Sequence, residues 1–580
     1  MKLRFGMASR GTMRGDASEL RSPRRRVLGH LRDGAGEALT DSRVERACED
    51  RRPALDGGMR LLLIALTMIG VAPAQDAAGV AKTLKGRPNI LLILTDDHRW
   101  DAMSSKGHPF LKTPNLDRLA EEGVDFENAF VTTSLCSPSR ASIITGLYAH
   151  NHGVVDNYHA VGDELVFFPQ LLQKAGYETG FVGKWHMGDT DEKQRGFDHW
   201  VSFKGQGVYW PFDEGLKVKG RYVPQANRTG FNVNGKRVPQ KGYITDEITD
   251  YALEWLKPRI DAEHDGVEGR KPWFLYVSHK AVHADFLPPN RHAFHYEEEP
   301  FTPPVTWLEK PELFRDVPRW VMNQRNSRHG VEFAYYMNLD LEKYYKRYCE
   351  TLLAVDESVG RLVEAMDGMG TLDNTLVIYL GDNGFLFGEH GLIDKRCAYE
   401  ESMRIPMIAR WPKGLQQGAV VKELVANIDV APAILKAAGV TPPAAMDGAD
   451  FLELARKAPA GGTGTAPSKP TWRKELLYEY YWERNYPQTP TMHALRGERY
   501  KYVRYHGVWD VDELFDLETD PLERKNLIND PAYASEVEEM NKRLFEQLAA
   551  SSGMAIPLLE DRGMQFHHRK VFGDTLFDFF

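Results

Sequence analysis

"NILLILTDD", Asn89 to Asp97, carries five uninterrupted apolar side chains, Ile90 to Leu94, and ends in two aspartates. A strand with one wet face alternates apolar and polar residues, whereas an unbroken apolar run belongs to a strand buried on both faces of a parallel sheet. Three further stretches have this character: "YETGFVGK" (Tyr177–Lys184), "WFLYVSH" (Trp273–His279) and "NTLVIYLGD" (Asn374–Asp382). Helical patterns separate them, among them "TDEITDYALEWLK", "YYKRYCETLLAVDESVGRLVEAM" and "TPNLDRLAEEG", in which Pro114 suits a helix start and Gly123 its stop. Strands alternating with helices predict an α/β fold, a large sheet sandwiched by helices.

The chain has 580 residues, and a single core stops growing at about 250–300 residues, so more than one domain is expected. We place a catalytic domain at 87–456 and a linker or loop rich in Gly, Ala, Thr and Pro at 457–470. A smaller α+β domain at 471–580 follows, with strands in "HALRGERYKYVRYHG" and "WDVDELFDLETDPLERKNL" and a helix in "SEVEEMNKRLFEQLAA". Near the start, "MRLLLIALTMIGVAPAQ" joins a basic residue, the apolar run Leu61–Val71 and the small-residue site Ala72-Pro73-Ala74. That is a signal-peptide pattern at 59–74, and it predicts export to the periplasm or the extracellular space. The run falls short of the roughly 20 residues that span a bilayer, so no stable membrane anchor is expected. Residues 1–58 read as disordered or as lying upstream of a true start at Met59.

A net charge of -9 argues against a nucleic-acid partner. Cys48, Cys136, Cys349 and Cys397 are too few and too scattered for a disulfide framework or a zinc site, and Cys349 and Cys397 read as structural thiols. Ligands of open α/β sheets bind beyond the carboxyl ends of the strands. Asp96 and Asp97 end one strand, and Asp382 with Asn383 ends another. Four oxygen-bearing side chains at one rim suit a hard divalent cation, calcium or magnesium, although such residues also cap helices and turns.

Other polar groups cluster at the same rim. "GKWHMG" offers Lys184 and His186 on one side of an extended segment; "SHKAVH" offers His279, Lys280 and His283; "GEHGLIDKRCAYEESMRIP" offers Glu389, His390, Lys395 and Arg396. In "CSPSR", Pro138 suits the first turn of a helix and sets Cys136 at that helix's positive end, as either a buried structural thiol or an activated thiolate.

Taken together, "CSPSRASIITG", "GKWHMG", Asp96-Asp97, Asp382-Asn383-Gly384 and "KRCAYEESMRIP" resemble the type I sulfatases of the alkaline phosphatase superfamily. The resemblance implies a large mixed, mainly parallel sheet sandwiched by helices, with a smaller C-terminal α+β domain. It implies that a formylglycine-generating enzyme oxidises Cys136 to formylglycine (3-oxoalanine), whose hydrate attacks sulfur with one hydroxyl and uses the other to expel sulfate. It further implies Asp96, Asp97, Asp382, Asn383 and the modified Cys136 around Ca2+, with Mg2+ as the second choice. Arg140, Lys184 and Lys395 would hold formylglycine and sulfate, His186 would act as the base that triggers release, and His283 would stand near the leaving-group oxygen with Lys395. "HKAVHA" lacks the proline many relatives carry before the second histidine, which leaves the place of His279 open.

"LYAHNHGVVDN" and "GFLFGEHGLIDKRCAYEESMRIP" look most like bacterial glycan sulfatases of the N-acetylglucosamine-6-sulfatase type. That resemblance implies a sulfated carbohydrate substrate bearing a 6-O-sulfated hexosamine. His279, Tyr480, Trp482, His493, Arg496 and Trp509 are candidates for its pocket, although residues of these types more often serve a core. The alternatives are a sulfatase of another sulfated polysaccharide or aryl sulfate, a phosphonate or phosphodiester hydrolase of the same superfamily, and a non-catalytic glycan-binding relative.

Overall fold

The computed structural model describes residues 86–557 apart from 212–216, 219–220, 223–229, 307–315, 325–339, 459–471, 485 and 508–510. The expectations for residues 1–58 and 59–74, and most of the 457–470 linker, lie outside the described residues. The architecture below belongs to one compact unit, Ala74–Phe580.

The main sheet has ten strands: β1 (Asn89–Thr95), β2 (Val124–Phe126), β3 (Glu178–Lys184), β4 (His199–Phe203), β5 (Phe231–Val233), β6 (Lys236–Val238), β7 (Trp273–Ser278), β8 (Thr375–Gly381), β9 (Met407–Arg410) and β10 (Ala419–Val421). Their order is β10-β2-β9-β8-β1-β7-β3-β4-β5-β6. The central five, β8-β1-β7-β3-β4, are all parallel, and antiparallel pairs flank them on both sides. The expected mixed, mainly parallel sheet is what the chain builds.

All seven residues of β1 are buried. Leu91 and Ile93 pack into one apolar cluster with helices α1 (Pro114–Glu121), α3 (Ile244–His264) and α4 (Leu341–Asp367). Ile90, Leu92 and Leu94 pack into another on the opposite face, with α2 (Cys136–Thr145) and α5 (Val430–Ala437). Burying an aliphatic side chain of this size contributes about 1.5–3 kcal/mol, which is why the run tolerates no polar interruption.

Two local features set the rim. At Gly183 φ is +123°, and a Cβ there would sit 1.9 Å from the Ser278 carbonyl oxygen, so a bare backbone is what lets β3 deliver Lys184 beside β7. Helix α2 starts at Cys136 after an extended Leu135. Pro138 in its first turn sacrifices no hydrogen bond, because the first N–H groups of a helix have no intrahelical partner.

Beyond the linker, β11 (Glu475–Tyr480), β12 (Thr491–Gly497), β13 (Tyr500–His506) and β14 (Glu513–Asp516) form an antiparallel sheet in that order. Leu477, Leu495, Tyr502 and Leu514 pack on Met540, Leu544 and Leu548 of α6 (Ala534–Ala550). The alternate residues Leu476, Tyr478, Tyr480, Met492 and Ala494 join the apolar cluster on the α2 face of the main sheet. The C-terminal sheet is therefore a two-faced layer, one face under its own helix and the other against the main body.

Candidate active site

Backbone pairing continues past the strand ends and gathers the acidic residues. The Asp382 amide donates to the Thr95 carbonyl (2.8 Å), and the Asp96 amide donates to the Ala281 carbonyl (3.0 Å). The Asp97 amide donates to Asp382 Oδ1 (3.0 Å), with Asp97 itself in the left-handed region (φ 52°). Asp96, Asp97, Asp382 and Asn383 are all buried.

Arg140, one helical turn beyond Cys136, reaches under this group. Its guanidinium donates to Asp382 Oδ2 (2.9 Å), Asp96 Oδ2 (3.0 Å), the Lys184 carbonyl (2.8 Å) and Ser278 Oγ (2.6 Å). The Lys184 ammonium donates to Asp96 and Gln206, and that of Lys395 donates to Asp97. Cys136 Sγ lies 3.3 Å from Lys395 Nζ and 3.5 Å from Asp96 Oδ1. The structure thus brings together Cys136, Arg140, Lys184, Lys395 and the four oxygen-bearing residues.

The charge state of Cys136 bears on the choice left open by its position. Burial, with the Asp96 carboxylate nearby, pushes its thiol up to about 12, outweighing Lys184 and Lys395. That direction favours a protonated thiol over an activated thiolate at the helix N-terminus.

Among the carboxylates, Asp96 would be raised by burial, but the Lys184 ammonium, aided by His283, Arg140 and Lys395, holds it well below the usual range. Burial pushes Asp97 up to about 7 in spite of Lys395, and the Asp96 and Asp382 carboxylates add to the push. One oxygen of Asp97 (Oδ2) and the amide oxygen of Asn383 (Oδ1) are buried with no hydrogen-bond partner among the described residues. Carboxylate atoms of Asp96, Asp97 and Asp382 lie within 4.8 Å of one another. Unsatisfied buried oxygens are costly, and an all-oxygen donor set of this kind fits a hard divalent cation.

Two histidines complete the cluster. His186 is buried, with Nδ1 unpartnered among the described residues, and its carbonyl accepts from the Ser137 hydroxyl. Burial, Lys184 and Arg140 hold its pKa well below the ordinary histidine value, so the ring is a neutral base. His283 offers a ring nitrogen within 4.8 Å of ligand atoms of Asp96 and Cys136. The Tyr209 hydroxyl donates to its carbonyl (2.6 Å), and the Lys280 ammonium lies 4.4 Å from the centre of the Tyr209 ring.

The weaker pocket candidates fall elsewhere. His279 is fully buried against Ser358 of α4 (3.1 Å), so it braces the helix instead of lining the rim. His493 is buried and paired with His506 (2.9 Å), and Arg496 is buried in an ion pair with Glu400 (3.3 Å). His493 pairs within the C-terminal sheet, and Arg496 ties that sheet to Glu400 of the main body. Tyr480 is a core residue that donates to Glu483 (2.7 Å). Trp482 is 39% exposed, while Trp509 lies outside the described residues. Cys349 and Cys397 are buried free thiols.

Sequence reasoning missed Gln206, Ser278 and Tyr209. Ser278 directly precedes the "HKAVH" motif and could have been found there, whereas "KGQGVYW" (Lys204–Trp210) carries no periodicity or charge pattern that would mark Gln206 or Tyr209.

The family described as Sulfatase matches residues 88–440, and that described as N-sulphoglucosamine sulphohydrolase, C-terminal, matches residues 388–550. An N-acetylglucosamine-6-O-sulfatase of Bacteroides thetaiotaomicron is 32% identical over 84% of this chain and 90% of that protein. The N-acetylglucosamine-6-sulfatase of Homo sapiens is 28% identical over 92% of this chain and 97% of that protein. A solved structure of a protein in complex with its substrate D-glucosamine-2-N,6-O-disulfate superposes with a TM-score of 0.71 at 29% identity, covering 82% of this chain and 100% of that one.

Proposed function

The chain belongs to the sulfatase family of the alkaline phosphatase superfamily and is a hydrolase of sulfate esters, and we propose that it removes the 6-O-sulfate of N-acetylglucosamine in glycosaminoglycan or mucin-type glycans. The observation that carries the hydrolase reading is Cys136 held between Lys395 and Asp96, with Arg140 donating to the same Asp96. The sugar is inferred from the relatives, two of which bear that activity in their names.

We take Cys136 to be converted by a formylglycine-generating enzyme to formylglycine, whose hydrate offers one hydroxyl to attack sulfur and a second, absent from a thiol, to expel sulfate. Asp96, Asp97, Asp382 and Asn383 would hold a calcium ion, whose chemistry is to polarise sulfuryl oxygens and acidify the attacking hydroxyl. Lys184, Lys395 and Arg140 present three cations to an incoming sulfate and are fixed in advance by their carboxylate and carbonyl partners, so little reorganisation is needed as charge develops. His186, buried and neutral, is poised to accept a proton at its unpartnered ring nitrogen. His283, held through its backbone by Tyr209, keeps a ring nitrogen within 4.8 Å of ligand atoms of Asp96 and Cys136 and would serve the leaving-group oxygen.

Export is inferred from the Met59–Gln75 pattern. Among the described residues no helix is long and apolar enough to cross a membrane. The test of substrate is sulfate release from a panel of defined sulfated mono- and disaccharides alongside nitrophenyl sulfate and a phenylphosphonate ester. Preference for the 6-O-sulfated N-acetylglucosamine compounds supports the reading, and preference for the phosphonate ester would overturn it.

A further inference from the structure

We propose that His390, Glu401 and Glu523 form a second, buried site for a divalent transition-metal cation, separate from the oxygen-lined group beside Cys136. Each of the three offers a ligand atom within 4.8 Å of the others'. His390 is 5% exposed, Glu401 7% and Glu523 2%. His390 Nε2 and Glu401 Oε2 have no hydrogen-bond partner among the described residues, and they face each other at 4.0 Å. Metal–ligand bonds to imidazole and carboxylate are about 2.0–2.2 Å, so two donors 4.0 Å apart are within the span of one ion.

The donors are held in place from outside the group. The His390 ring stacks on Tyr399 with centroids 3.8 Å apart and planes 9° from parallel, which aims Nε2 inward. Glu523 Oε2 accepts the Glu400 amide (2.8 Å), and its other oxygen meets the Lys501 ammonium, which is shared with Glu400 (3.2 Å). Among the described residues no lysine or arginine lies within ion-pair distance of Glu401. A buried carboxyl group without a cation stays protonated, and a divalent ion ligated by Glu401, His390 and Glu523 would supply the charge that lets it ionise.

The chemistry of the donors separates this site from the first. One imidazole and two carboxylates suit zinc, manganese or iron, whereas the Asp96–Asp97–Asp382–Asn383 set has only oxygen donors and suits calcium. The placement also has a consequence. His390 and Glu401 bracket the segment that carries Lys395, and Glu523 follows β14, so the ion would tie the C-terminal sheet to that segment.

The test uses the full chain in excess calcium chloride, incubated with zinc chloride and desalted, with zinc and calcium per chain then measured by plasma mass spectrometry. The wild-type chain is expected to retain zinc in addition to calcium, and His390→Gln and Glu401→Gln each to lose about one equivalent of zinc while keeping calcium. Retained calcium reports an intact fold. Should both variants unfold, cobalt(II) bound to Cys136→Ala, which removes the thiol beside Asp96 and His283, is expected to show ligand-field absorption that zinc abolishes. No zinc retained by the wild type, equal zinc in wild type and folded variants, or no cobalt absorption would overturn the proposal.

Discussion

The ammonium of Lys395 stands 3.3 Å from Cys136 Sγ although the two residues are 259 positions apart, and the same ammonium donates to Asp97. One cation therefore serves the carboxylate cluster and Cys136 together. Lys395→Met is expected to lower kcat on sulfated sugar by about 100- to 1,000-fold, the cost of losing one preorganised charge aimed at developing anionic oxygen. Steady-state kinetics of the matured variant check this.

Arg140 is 1% exposed and bridges Asp96 and Asp382. Arg140→Met leaves the buried Asp382 carboxylate without its cation while Asp96 keeps Lys184, and removing one partner of such a network costs about 3–5 kcal/mol. Denaturant unfolding should show that loss together with the loss of turnover.

Chelation tests the oxygen-lined group. Stripping divalent ions is expected to abolish sulfate release, and calcium to restore it. Asn383→Ala removes one of the two unpartnered buried oxygens, and its calcium requirement is expected to rise by about 10- to 100-fold. Calcium titration of activity in the stripped enzyme checks both.

A pH dependence of stability follows from Glu513. Burial pushes its carboxyl up to about 7, even though the Tyr505 and Tyr399 hydroxyls donate to it. A folded value above the unfolded one means that the contribution is fully present below about pH 4.3 and is lost as pH rises through about 7. Glu513→Gln is expected to flatten the fall of Tm between pH 5 and 8, about neutrality, as read by thermal unfolding at fixed ionic strength.

The sheet was legible because burial on both faces leaves an unbroken apolar run. Asn89–Thr95, Trp273–Ser278 and Thr375–Gly381 each fall within one residue or two of the stretch that announced them. The helix read to Lys257 runs on through Pro258 to His264, where burial of Ile260 outweighs the missing backbone donor. The residues of the rim were legible because ligands of open α/β sheets bind beyond the carboxyl ends of the strands, and the resemblance to sulfatases gave each a role. Polar residues of the C-terminal strands were not, because ion pairs across a packed layer look the same in sequence as groups awaiting a ligand. Arg496 and His493 were read as pocket residues, yet they meet Glu400 and His506. Conversely, Tyr209 acts through its hydroxyl on the backbone of His283, a contact that leaves no pattern in the chain.

The central claim is that sulfate release runs through a converted Cys136. Its most direct test is sulfate release from 6-O-sulfated N-acetylglucosamine by wild type and Cys136→Ala, both produced with a formylglycine-generating enzyme, with mass spectrometry of the peptide containing residue 136. The account predicts formylglycine in the active wild-type peptide and no release above background by Cys136→Ala. Undiminished release by that variant, or active wild-type enzyme whose Cys136 is wholly unmodified thiol, would contradict it.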